Sequence, residues 1–401
     1  MAETHPLTLL CLAGDVKGHA FIRQCHQMGC RVLVVTREMH RDADWPREAI
    51  AGMYFMPSLL DRDDLLKGVS WLARKETIDC VVALDDFDVE QAAMLREHLR
   101  VPGMGDTTSR YFRDKLAMRV RAQEAGLRVP EFVHALNDDA IHRFAQEVPA
   151  PWVLKPRSEG SAAGIIKVGS AEELWHRLDE LGDARSFHLI ERFVPGDVYH
   201  VDTITSERET HFAVVSRYGK PPLDVMHSGS LFITRTVPGD APEAREMTRL
   251  TRELLDALGF VRGVSHTEFI RGAADGHLYF LETASRVGGA HIAEVVEAAT
   301  GVNLWAEWAK IEVGGGKAPY TLPTPRAGHA GIILSLARQE WPDTSAYDAP
   351  EVVWRVNRRY HAGLIVASPD SARVDALLES YGERFYRDFF TSAPGLSRVE
   401  R

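Results

Sequence analysis

Cysteine is scarce. The 401 residues hold four, Cys11, Cys25, Cys30 and Cys80, all in the first quarter of the chain. Their spacings match neither a disulfide framework nor a zinc-ligand pattern, so reduced core thiols are expected. Long apolar runs are missing too: none approaches the roughly 18 to 20 residues needed to span a membrane, and MAETHPLTLLCLAGD lacks a basic segment followed by a long apolar one. These absences argue against a membrane association and make a cytoplasmic location the expectation. No block of like charge forms a tail. The 57 acidic and 47 basic residues, a net charge of -10, are spread along the chain, which argues against a nucleic-acid partner but permits a local cationic pocket for phosphates. Low-complexity segments and internal repeats are also absent.

What is present is ordinary globular composition, 45% hydrophobic and 26% charged, and a length that suggests two or three domains at about 150 residues each. Leu7 to Ala13, His19 to Met28 and Arg31 to Val35 read as β-α-β, and Cys80 to Leu84 followed by Asp85, Asp86 and Asp88 reads as a further strand and acidic turn. A small parallel sheet with helices is implied. The turn AGDVKG departs from the G-x-G-x-x-G dinucleotide fingerprint and reads as a structural turn. Ser109 to Gly126 predicts one bridging helix, stopped by Pro130. Next come WVLKP and GIIKV flanking a small-residue loop, a helix over Ala171 to Leu181, and the strand-like HLIERFV and VYHVDTIT. A helix over Pro242 to Leu258, the paired strands GVSHTEFI and HLYFLET, and a Gly- and Pro-rich linker at Gly314 to Pro325 follow. The last part, with AGIILSL, VVWRV, AGLIVAS and a helix near Ala372 to Tyr386, predicts a small β-rich lobe.

Three constellations carry chemistry. Glu268 and Glu282 lie on adjacent apolar strands joined by a turn, so antiparallel pairing brings both carboxylates to one face. Two acids among Phe269, Ile270, Phe280 and Leu281 need a cation, and magnesium prefers such hard oxygen ligands. The alternative is a pair of solvated strand acids. Arg286, four residues past Glu282, adds a permanent positive charge for a phosphate or carboxylate. The second constellation is KPRSEGSAAG: Lys155 ends a strand, and Ser158, Gly160, Ser161, Ala162, Ala163 and Gly164 can bring backbone N–H groups to phosphate oxygens, although a flexible turn looks the same. The third is ERFVPG, from Glu191 to Gly196, whose backbone can meet the edge of an adenine. Lys115 reads as a surface lysine on its own.

In this order, RDKLAMR, WVLKP, the small-residue loop, ERFVPG, HTEF and ETASR resemble the ATP-grasp superfamily, in detail over about residues 105 to 310 and more loosely on either side. The resemblance implies a mixed α/β and α+β architecture with an ATP-grasp fold. Residues 1–105 would form a Rossmann-like pre-ATP-grasp domain and 106–195 the small subdomain with bridging helix and phosphate loop. Residues 196–315 would form the large subdomain with the metal site, and 316–401 the C-terminal lobe. It also implies ATP and magnesium, or manganese, as cofactors. Lys115 and Lys155 would contact the nucleotide, Ser161 would lie in the closing loop, and Glu191 would meet the adenine amino group with the backbone of Phe193 and Val194 at the ring edge. Glu268 and Glu282 would hold metal, and Arg286 would stabilise the acyl-phosphate and the tetrahedral intermediate.

Two positions depart from the family pattern. Ala284 stands where relatives carry a metal-binding Asn. Val198 stands where an acid often meets the ribose, with Asp197 or Asp202 as substitutes. E-x-A-x-R and HTE resemble the L-amino-acid ligases, which implies carboxylate and amine substrates, amino acids among them, and a homodimer. In that group a histidine upstream of the metal strands helps form the amino-acid site. His227 lies about there, whereas His266 reads as structural. Competing expectations are a biotin-carboxylase-like enzyme that activates bicarbonate and a nucleotide-binding regulator without catalysis.

Overall fold

The computed structural model describes residues 6–160, 162–317 and 319–391. Its first layer is a parallel sheet of β1 (Thr8–Ala13), β2 (Arg31–Arg37), β3 (Gly52–Met56) and β4 (Cys80–Ala83), ordered β3-β2-β1-β4. Helix α1 (His19–Gln27) joins β1 to β2, α2 (Arg62–Leu72) joins β3 to β4, and α3 (Val89–Leu99) follows β4. All six residues of β1 are buried, because a parallel sheet covered on both faces needs continuous apolar runs. The strand β3 has no counterpart in the sequence reading: it is an edge strand, half-buried along its whole length, and GMYFM carries no β-branched residue. The cysteines are free thiols, and Cys11, Cys25 and Cys30 are buried, as expected.

The bridging segment is not one helix. It divides into α4 (Asp106–Ser109), a 3-10 turn and α5 (Lys115–Glu124). Arg113 breaks the helical backbone with φ −132°, and Asp114 restarts it by accepting from the N–H groups of Leu116 and Ala117. The restart puts Lys115 in a first turn and Arg119 one turn later on the same face.

An antiparallel sheet ordered β5-β8-β6-β7 follows, built from β5 (Phe132–His134), β6 (Trp152–Pro156), β7 (Ile166–Val168) and β8 (His188–Arg192). Helices α6 (Asp138–Glu147) and α7 (Ala171–Leu181) cover it through Ile141, Phe144, Leu174 and Leu178.

The largest layer is antiparallel and has eight strands in the order β13-β12-β9-β10-β11-β14-β16-β15. In chain order it contains β9 (Gly196–Ser206), β10 (Glu209–Tyr218), α8 (Pro222–Ser228), β11 (Phe232–Thr236), α9 (Pro242–Ala257), β12 (Gly263–Gly272) and β13 (Leu278–Ala284). Then come α10 (Ile292–Thr300), α11 (Leu304–Gly314), β14 (His329–Leu336), β15 (Val352–Arg355), β16 (His361–Ser368) and α12 (Ser371–Asp388). The C-terminal strands therefore extend the sheet that carries Glu268 and Glu282, through the β11–β14 pairing. Among the described residues no helix is long and apolar enough to cross a membrane.

Gly196 fixes where this sheet begins. It opposes Gly272 at the start of the β9–β12 ladder, and a Cβ there would lie 2.0 Å from the Arg271 carbonyl oxygen. The obstacle is backbone, so Gly196→Ala must separate the strands. A loss of about 1–3 kcal/mol in urea unfolding is expected, and an unchanged midpoint would contradict the close approach.

Candidate active site

A cavity of about 480 Å³ opens where the small antiparallel sheet faces the large one. Lys115, Lys155, Glu191, Glu268, Glu282 and Arg286 line it together, as do Phe193 and Val194. Residues 170 positions apart in sequence thus meet on one wall system. Ser161 lies outside the described residues. His227 belongs to α8, whose earlier turn lines the same cavity, but its side chain lies outside the description.

Three buried charges cluster at Glu191. Glu191 is 2% exposed, and its two oxygens take Arg119 Nε and Lys155 Nζ, each at 2.5 Å. Burial pushes the Glu191 carboxyl up, but the two cations outweigh it and hold the group below its usual range. Both oxygens of Glu191 are thus engaged by cations, Arg119 on one and Lys155 on the other. Phe193 is also partly committed, since its N–H donates to the Pro151 carbonyl at 3.0 Å, leaving its carbonyl for a ligand. The ring of Phe193 lies under the Lys167 ammonium at 3.8 Å.

Burial lowers the Lys155 ammonium to about 8 in spite of Glu191. Only the protonated form can pair with phosphate, and that form is lost as pH rises through this value. The apparent KM for ATP is therefore expected to climb between pH 7.5 and 9.5, read from initial rates at saturating metal. A flat profile would mean that Lys155 does not meet the nucleotide.

The carboxylates Glu268 and Glu282 are direct cross-strand partners on β12 and β13, as their spacing predicts. A β-bulge follows at once, because Phe269 pairs with Phe280 and Leu281 is the extra residue. The bulge turns Leu281 as well as Glu282 into the cavity. Glu268 accepts from the Tyr218 hydroxyl at 2.7 Å through Oε1. Glu282 lies 2.8 Å from Lys115 Nζ, which also donates to the Glu159 carbonyl at 2.5 Å. Burial pushes Glu282 up, yet Lys115, then Lys155 and Arg119, bring it down to about 2. Two carboxylates in register, each anchored through one oxygen and lining a cavity, are a donor set that suits a hard divalent cation.

Arg286 follows the end of β13, where Nη1 donates to the Val287 carbonyl at 2.9 Å. Its Nε is 3.6 Å from Asp86 Oδ1, in the acidic turn of the first domain. Asp86 is also paired with Arg113, which donates to the Ser158 carbonyl at 2.5 Å. The acidic turn therefore touches both Arg286 and the start of the small-residue loop. Past Arg286, Ala290 and His291 take φ of 51° and 61° in succession before α10, left-handed backbone that non-glycine residues adopt at a cost.

Several site residues escaped the sequence reading. Arg119 had a signal, since RDKLAMR puts it one helical turn after Lys115. Tyr218, Arg113 and Asp86 had none: Tyr218 reaches the cavity from a distant strand, and Asp86 meets Arg113 and Arg286 from a separate element. Asp202 must be withdrawn as a ribose ligand: it is fully buried and bonded to His200 and His266. Asp197 is half exposed and pairs with Arg217 at 2.9 Å.

Residues 22–103 match an ATP-grasp N-terminal domain and residues 120–291 an ATP-grasp domain. The chain belongs to the ATP-grasp family. This ATP-grasp chain is 24% identical to the L-arginine-specific L-amino acid ligase of Bacillus subtilis over 309 residues, 74% of the chain and 73% of that enzyme. It is 32% identical to a D-alanine–D-alanine ligase of Chlorobium luteolum over 203 residues, 47% of the chain and 55% of that enzyme. In fold it resembles the L-amino acid ligase of Bacillus licheniformis, with a TM-score of 0.76 at 18% identity over 97% of this chain and 99% of that one.

Proposed function

We propose that this ATP-grasp ligase joins the carboxylate of one amino acid to the amine of another and releases ADP and phosphate. The observation that carries the reading is the convergence of Lys115, Lys155, Glu268, Glu282 and Arg286 on one cavity. Likeness to L-amino acid ligases in both sequence and fold supports amino acids as the substrates.

A carboxylate oxygen attacks the γ-phosphorus of ATP, the bond to the β–γ bridging oxygen breaks, and ADP leaves. Lys155 and Lys115 offset charge on the phosphoryl oxygens. Glu268 and Glu282 would hold magnesium, or manganese in its place, which would supply further charge neutralisation there. The amine nitrogen then attacks the acyl carbon and loses a proton, and the C–O bond to phosphate breaks to leave the amide. Arg286 offsets charge on the oxyanion of that step. His227 is the proposed base for the amine proton, because α8 borders the cavity. The loop with Ser161 is proposed to close over the phosphates and exclude water, which would hydrolyse the acyl-phosphate.

Purified protein with ATP, magnesium and pairs of amino acids should release ADP and phosphate and form dipeptide. Release of AMP and pyrophosphate would overturn the acyl-phosphate route. Turnover that needs bicarbonate and ignores amino acids would replace the substrate reading with a carboxylating one.

A further inference from the structure

Behind Glu268 runs a chain of buried polar groups that none of these steps uses. The Thr234 hydroxyl donates to the Arg217 carbonyl at 3.2 Å, and His200 Nε2 lies 2.8 Å from that hydroxyl. His200 Nδ1 meets Asp202 Oδ2 at 2.6 Å, and Asp202 Oδ1 meets His266 Nδ1 at 2.9 Å. His266 Nε2 faces Glu268 Oε1 at 3.5 Å, the oxygen that also accepts from Tyr218. The chain crosses from β11 to β9 to β12. Thr234, His200 and Asp202 are fully buried.

Such a chain is costly in a sheet interior, where apolar side chains of the same volume are often as stable or more so. One ring nitrogen of His200, one carboxylate oxygen of Asp202 and one ring nitrogen of His266 lie within 4.8 Å of one another, close enough to share an ion. Each Asp202 oxygen, however, already has its own imidazole, and the far nitrogen of His200 has Thr234. The three residues are therefore a hydrogen-bonded unit, and its one outlet to the cavity is His266 Nε2 against Glu268.

A second contact ties the unit to Arg286. Gly288, two residues later, packs so closely that a Cβ would lie 2.9 Å from His266 Nδ1 and 3.1 Å from Asp202 Oδ1. The strand facing His266 contributes only the methyl of Ala284 at the paired position. The backbone that leaves Arg286 thus rests on the Asp202–His266 pair.

We propose that Asp202, His266 and Tyr218 are positioning residues that fix the carboxylate of Glu268 through Oε1, leave Oε2 for the cation, and support the turn that carries Arg286. The inference rests on the reading of Glu268 as a cation ligand. Its logic is that of outer-shell partners in metal sites, whose loss weakens metal binding or activity by about 10- to 100-fold. The Tyr218 hydroxyl holds Oε1 and the His266 ring stands 3.5 Å from it, which restricts rotation of the carboxylate, so a cation meets a preset ligand.

The test is Mn²⁺ binding followed by electron paramagnetic resonance, with ADP present, in the wild type and in Tyr218→Phe, His266→Gln and Glu268→Gln. Steady-state rates are measured against magnesium and against ATP. Tyr218→Phe removes one hydroxyl and is the variant best able to keep the fold, which circular dichroism and urea midpoints check. Tyr218→Phe and His266→Gln should each weaken Mn²⁺ binding by about 10- to 100-fold, with the loss appearing in the magnesium KM more than in kcat. Their double variant should lose less than the sum, since both act on one oxygen. If folded Tyr218→Phe and His266→Gln bind Mn²⁺ within twofold of wild type while Glu268→Gln does not, the positioning role is overturned and the metal reading stands. If Glu268→Gln binds Mn²⁺ as well as wild type, the metal reading fails and takes the inference with it.

Discussion

Glu282→Gln is expected to lower ADP release by about 10²- to 10³-fold at saturating ATP and magnesium, the range seen when one preset electrostatic partner is removed from a reacting phosphoryl or acyl centre. The substitution keeps the shape of the side chain and deletes its charge. That charge has two employments: it faces Glu268 across the strand pair and holds Lys115 Nζ at 2.8 Å. The cation loses an ionised ligand, and Lys115 loses the group that aims it. Because Glu282 is a third exposed, into the cavity, and Lys115 keeps the Glu159 carbonyl as an acceptor, the fold should survive, as circular dichroism would show. Glu282→Asp, which keeps the charge but shortens the reach, should recover part of the rate. A Glu282→Gln protein with more than a tenth of wild-type turnover would mean that the cation sits elsewhere.

The sequence made this pair legible for a physical reason. Apolar flanks forced both segments into a sheet, and the turn at Asp275 and Gly276 set their register closely enough to place the two acids opposite each other. The bulge at Leu281 was hidden, because a one-residue slip leaves the composition of a strand unchanged. Lys115 looked like a surface residue until Arg113 broke the bridging segment and Asp114 started a new helix at it. The partners of Glu191 and the chain from Thr234 to Glu268 depend on contacts between strands far apart in sequence, and alternating VYHVDTIT reads the same whether His200 and Asp202 face water or the core. The joining of the C-terminal strands to the large sheet rests on the β11–β14 ladder, for which neither strand carries a local mark. Ala284 was noticed as a missing amide, and its place opposite His266 emerged only with the register.

The largest stability effect is expected at Glu191. Its carboxylate is the ion-pair partner of both Arg119 and Lys155, and all three side chains are at least nine-tenths buried. Arg119 is the more exposed to harm: among the described residues its Nη1 and Nη2 have no hydrogen-bond partner, and beyond Glu191 its guanidinium has the Phe280 ring at 5.5 Å. Glu191→Gln leaves two buried cations without a counter-charge, which costs about 3–5 kcal/mol when a buried pair is broken from one side. Urea unfolding should show a loss of this size, and a loss below about 1 kcal/mol would mean that water reaches the pair. Replacing Arg119 by Met in the same protein should return part of the stability, because the removal of both partners eliminates the stranded charge. The charge of Glu191 also raises the Lys155 ammonium against the pull of burial, so its removal must lower that group below about 8. In Glu191→Gln the pH at which ATP affinity falls should therefore move to lower values. A limb that stayed in place would separate the stability role of Glu191 from any role in holding Lys155 charged for the nucleotide.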